Sequence, residues 1–139
     1  MGVPFEILEH PADIGFLAYG QTLEELFANA ALAMFSLACA LKGVEEEQTR
    51  EVDVTGRDTE SLLYAWLAEL LALADAEQLV FRRVEVAALA PNRARGVAHG
   101  ETFDKKRHRA GTYIKAVTFH QFRVEPTPQG WRAQVYLDV

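Results

Sequence analysis

Two carboxylates in this 139-residue chain lie where side chains do chemistry. Asp13 falls inside His10-Pro11-Ala12-Asp13-Ile14-Gly15, a proline-and-glycine turn between two apolar runs, and Asp138 closes the strand-like run that ends in Val139. Carboxylates joined by a backbone oxygen suit a hard cation, and such oxygen-only sites are assembled from loops and strand ends distant in sequence. Asp13, Asp138 and the carbonyl or terminal carboxylate of Val139 answer to that description. A plainer reading makes Asp13 a turn cap and Asp138 a surface residue, and spacing alone leaves both open. Lys115, in the apolar run Tyr113 to Val124, must bring its charge to a rim or meet an acid. Glu101, beside Gly100, is a candidate counter-charge. His10, His99, His108 and His120 do not recur at ligand spacing; His10 reads as a turn residue and His120 as a half-buried strand histidine.

Familiar catalytic signatures are missing: there is no glycine-rich phosphate loop, no G-x-S-x-G, no H-E-x-x-H and no paired C-x-x-C. A free-standing enzyme is therefore not favoured. The single cysteine, Cys39, allows no disulfide framework and fits a reducing cytosol. No basic leader and no bilayer-length apolar run stands in the sequence, so neither secretion nor a membrane is expected.

The elements that must position these residues follow from periodicity. Phe5–Glu9 and Ile14–Tyr19 read as two short strands. Thr22-Leu23-Glu24-Glu25 opens a helix as a capping box, with an apolar stripe running from Leu23 to Ala38 and a stop at Lys42-Gly43. A strand over Glu51–Thr55 precedes a second helix, capped by Asp58 or Thr59 and running to about Glu77. Strands are then expected over 79–89, 94–101, 113–124 and 131–138, with Asp104 to Arg109 as a solvated loop. The prediction is one α+β domain over residues 1–139, order ββαβαββββ, with two helices packed on a mixed or antiparallel sheet.

Charge is unevenly spread. Residues 1–80 carry three Lys/Arg against fifteen Asp/Glu, and residues 81–139 carry eleven against five, within an overall net charge of −6. Either the two parts face each other, or a basic face meets a phosphate-bearing partner.

Together, His10-Pro11-Ala12-Asp13-Ile14-Gly15, Gly20 with the Thr22-Leu23-Glu24-Glu25 helix start, Ala33-Met34-Phe35, the Leu62-Leu63…Trp66-Leu67…Leu70-Leu71 helix, Gly100-Glu101, Ile114-Lys115-Ala116-Val117-Thr118-Phe119-His120 and Leu137-Asp138-Val139 resemble the archease family, in order and over nearly the whole chain. The resemblance implies a small cytoplasmic accessory protein, not a catalyst. It would activate an RtcB-type RNA ligase in tRNA splicing and RNA repair by promoting the ligase's guanylylation and multiple turnover, touching RNA only indirectly. It further implies a divalent cation, calcium first with magnesium or manganese as alternatives, on Asp13, Asp138 and Val139. Lys115 would act beside it, with His10 and Glu101 near the site. One departure is visible: many archeases carry an acid where this chain reads Ser36-Leu37-Ala38-Cys39-Ala40, so fewer charges would hold the cation. The rival classes are an RNA-binding module, from the basic C-terminal part and the aromatics Tyr113, Phe119, Phe122 and Trp131, and a chaperone-like interaction protein.

Overall fold

The computed structural model describes residues 2–9 and 13–139, the side chain of Glu9 excepted. In chain order it contains β1 (Phe5–Glu9), β2 (Ile14–Gly20), α1 (Leu23–Ala38), a 3-10 turn (Leu41–Gly43), β3 (Gln48–Thr55), α2 (Thr59–Glu77), β4 (Leu79–Ala90), β5 (Arg93–Thr102), β6 (Ala116–Val117), β7 (Arg123–Thr127) and β8 (Gly130–Asp138). The strands form two antiparallel sheets where one was expected. The first has the order β1-β2-β8-β6, with β7 also along β8, and the second is β3-β5-β4.

The helices start as their sequences dictate. Thr22 accepts from the Glu25 N–H at 3.1 Å, while the Glu25 carboxylate reaches back to the Gln21 N–H at 2.8 Å, one residue before the cap. Asp58 and Ser61 form a reciprocal capping box on α2. Each helix touches both sheets: α1 packs on β2 and β4, and α2 on β3 and β6. One continuous core results, filled by Phe16, Phe27, Met34, Leu67 and Trp66 among others. The Trp66 Nε1–H donates to the Phe27 carbonyl at 3.2 Å, tying the helices together. Gly96 on β5 makes room for that indole, since a Cβ there would stand 2.6 Å from its Cη2.

Two expectations fail for identifiable reasons. The first helix ends at Ala38 rather than at Lys42-Gly43, because the next backbone groups pair elsewhere. Ala40 N–H donates to Arg109 O at 3.0 Å, and Gly111 and Thr112 donate back to Ala38 and Leu37. Residues 113–124 are not one strand. Only Ala116–Val117 join the ladder; the chain then turns with Gln121 at φ 51°, closed by Phe122 N–H to Phe119 O at 3.1 Å. It resumes as β7, so β6 and β7 lie one after the other along the same edge of β8.

Candidate functional site

The first sheet joins the two ends of the sequence that carry the acids. β2 and β8 run antiparallel, and their last pair is Ile14 with Leu137. Extending that register by one residue brings Asp13, just before β2, opposite Asp138, the last residue of β8. Because side chains alternate along a strand, and Leu137 is fully buried while Asp138 is exposed, Asp138 lies on the face of β8 opposite Leu137; Asp13, half-buried, stands just before β2. Directly opposed residues of an antiparallel pair stand roughly 4.5–5.5 Å apart at Cβ, a spacing that two carboxylates sharing a cation can use.

On the other side of Asp138 lies β6. Ala116 pairs with Asp138, and the Lys115 N–H donates to the Asp138 carbonyl at 2.8 Å. Lys115 is exposed at this rim, one residue from the aspartates in register, and among the described residues it has no ion pair. Val139 is half-buried, its side chain packed against the core. His10 lies outside the described residues.

The ring of Tyr136, two residues from Asp138 on the same face, is buried over Gly15. Its carbonyl accepts from the Thr118 N–H at 3.1 Å and the Thr118 hydroxyl at 2.9 Å, which fixes the turn after β6. His120 is exposed in that turn, not half-buried in a strand, with its ring centroid 5.9 Å from that of Tyr136. Tyr136 and Thr118 escaped sequence reasoning. The signal was present in Trp131 to Asp138, where Tyr136 shares the outward parity of Asp138. A Cβ on Gly15 would stand 2.6 Å from Tyr136 Cδ1 and 2.8 Å from the Val135 carbonyl. Gly15→Ala is therefore expected to displace the Tyr136 ring and destabilise the fold by about 1–3 kcal/mol, read from urea unfolding.

Glu101 is not the counter-charge of Lys115. It sits on β5 of the second sheet, 3% exposed, and its carboxylate accepts from the Glu45 N–H at 2.7 Å, with the His108 Nε2 at 2.8 Å and the Arg107 guanidinium completing the set. These donors, the Glu45 N–H first, hold its carboxyl down to about 2. Since Asp104 N–H donates to His108 Nδ1 at 2.8 Å, the ring proton belongs on Nε2, facing Glu101. The segment expected to be a solvated loop is thus clasped through Arg107 and a buried His108, and from this clasp the chain runs on to Lys115. His99 is similarly accounted for, 2.6 Å from the Glu85 carboxylate.

The charge asymmetry resolves partly into pairs across the two parts of the chain. Arg83 meets Glu46 at 2.7 Å and Arg93 meets Asp53 at 2.5 Å, and each arginine lowers its partner's carboxyl. A cleft of about 280 Å³ opens between the ends of α1 and α2 and residues 110–114. The buried Cys39 thiol lines it, and burial pushes that thiol's pKa up, opposite to what a nucleophile needs.

The donor set at the sheet end fits an oxygen-preferring divalent cation: two carboxylates, with backbone oxygens at Val139 close by in sequence. Among the described residues no three His, Cys, Asp or Glu side chains gather into a ligand cluster.

Two antiparallel sheets on two helices, with Asp138 at the end of one sheet, make a small α+β domain. The model of the Archease protein family matches residues 5–139. The protein archease of Methanosarcina mazei is 44% identical over 142 residues, covering 99% of this chain and 97% of that protein. The archease of Pyrococcus abyssi is 41% identical, covering 97% and 98%. Protein 1598 of Methanobacterium thermoautotrophicum, solved in solution, superposes with a TM-score of 0.83 at 38% identity, covering 98% of this chain and 99% of that one. A crystal structure of a Thermotoga maritima protein, described as an archease and possible chaperone, shares the fold with a TM-score of 0.66 at 21% identity, covering 100% and 98%. The chain belongs to the archease family.

Proposed function

We propose that this archease is a non-catalytic accessory factor of an RtcB-type RNA ligase in the cytoplasm, promoting the ligase's guanylylation and multiple turnover during tRNA splicing and RNA repair. The observation that supports the reading is the β2–β8 register, whose last pair, Ile14 with Leu137, lies next in sequence to Asp13 and Asp138, while Asp138 pairs with Ala116 beside Lys115.

Asp13 and Asp138 would hold a divalent cation, calcium first, with a Val139 backbone oxygen as a further ligand. Such a cation supplies positive charge that phosphate oxygens accept. The protein's own contribution is placement. Lys115 offers a second cation at the rim, and the Thr118 bonds to Tyr136 keep the sheet end from fraying. The contact with RNA would run through the ligase; in keeping with this, Arg83 and Arg93 are already paired with Glu46 and Asp53.

The test is ligase–GMP formation from GTP with a cognate ligase, comparing native, Asp13→Ala and Asp138→Ala proteins. Both variants should stimulate on the order of tenfold less than native. Equal rates for all three would remove the sheet end from the mechanism.

A further inference from the structure

The turn between β6 and β7 presents an aromatic ring to solvent and holds it still. Phe119 is 58% exposed, yet it stacks on Tyr64 of α2 with centroids 3.9 Å apart and planes 18° from parallel. Phe122, rooted in the core, meets the same ring edge-on at 5.8 Å. The turn beneath is fixed from several sides: Thr118 to the Tyr136 carbonyl, Phe122 N–H to Phe119 O, and the Gln134 amide to the Gln121 carbonyl at 2.9 Å. A lone exposed apolar side chain means little. A braced one differs, because its ordering cost has been met before any partner arrives. Tyr113, 65% exposed beside the cleft lined by Cys39, shows the contrast, with no ring contact among the described residues.

Its position adds to this. Phe119 follows Ala116 by three residues, so it stands within about 10 Å of the point where β6 pairs with Asp138. Lys115 precedes the turn and Arg123 follows it. Both are exposed and, among the described residues, neither has an ion pair, a state shared with Arg57, Arg82, Arg95 and Arg109 and unlike Arg50, Arg83, Arg93, Arg107 and Arg132, which carboxylates hold.

We propose that Phe119, braced on Tyr64, is the apolar anchor that seats this end of the molecule in an acid-rimmed pocket of its protein partner, Lys115 and Arg123 meeting the rim. This deepens the ligase reading and takes its partner from it. Aromatic side chains that fill a well-packed pocket near the centre of an interface, ringed by weaker contacts, are the usual strong points of protein association. A nucleic-acid strand is the poorer occupant, since strand-binding platforms offer successive rings to successive bases, and Phe119 is a single exposed ring with one face already taken by Tyr64.

The experiment is a titration of labelled native protein, Phe119→Ala and Phe119→Leu with the ligase, reading affinity by anisotropy and, separately, the plateau of ligase–GMP formation. Phe119→Ala should bind roughly 30-fold more weakly, about 2 kcal/mol, with the plateau at saturation unchanged. Phe119→Leu, which keeps an apolar side chain, should stay within about threefold of native. Circular dichroism and melting of both variants check that the fold is retained. Native and Phe119→Ala binding equally well would overturn the anchor, as would a loss confined to retention of labelled single-stranded RNA, or an unfolded Phe119→Ala with Phe119→Leu as weak as a complete loss. Native protein that binds the ligase but does not stimulate it would overturn the activator reading and leave the anchor standing. Native protein that fails to bind the ligase would overturn both.

Discussion

Glu101→Ala is expected to melt about 10 °C below the native protein at neutral pH. The carboxylate is buried, and three donors converge on it from separate segments: the Glu45 N–H before β3, and His108 and Arg107 from the loop after β5. Removing it leaves a buried imidazole N–H and a backbone N–H without their acceptor, and an uncompensated group costs more than the original pair contributed. The loss should also spread along the chain, because the clasped loop runs on through Ala110 to Thr112, which pair with the end of α1, and then to Lys115. Acid titration provides a second reading of the same carboxylate. Its carboxyl is held at about 2 against an ordinary value of 4.5, so the folded form binds its proton less readily than the unfolded chain does. The stabilisation it provides is complete above about pH 4.5 and drains away as the pH falls towards 2. Glu101→Gln lacks that component, so the gap in melting temperature between native protein and Glu101→Gln should close over this window. A gap that stayed constant from pH 6 to pH 2 would contradict the clasp.

The second large effect is functional. Asp13→Ala and Asp138→Ala should each lower stimulation of ligase–GMP formation on the order of tenfold or more, and the double variant should lose no more than either single one. Two acids that share a cation fail together, since removing either releases the ion on which both act; two acids making separate contacts would multiply their losses. Stability should barely move, because Asp138 is exposed and Asp13 stands just outside the ladder. Losses that multiplied in the double variant would split the site into two independent contacts.

Much of this arrangement could be seen in the sequence where local rules decide. Thr22 and Asp58 marked both helix starts, and the apolar spacing of Leu62, Leu63, Trp66, Leu67 and Leu70 identified a buried face. Local rules failed where distant backbone competes. Nothing within Ala38 to Gly43 signals that Arg109 to Thr112 will take the helix's last carbonyls, and the alternating run 113–124 hides a turn that Gln121 makes in a left-handed conformation. For the site, the chemistry of Asp13 and Asp138 was visible, but their adjacency rests on pairing across some 120 residues, which periodicity does not encode. Glu101 was misassigned for the same reason: its partners lie on the loop that follows it, and only the folded chain shows that His108 turns inward to reach it.

Whether Asp13 and Asp138 act as one cation site is read by calorimetric titration of calcium into metal-stripped protein. Native protein should bind one equivalent, and both Asp13→Asn and Asp138→Asn should bind at least about tenfold more weakly. Calcium taken up equally by native protein and both variants, or not taken up by native protein at all, would contradict a shared site.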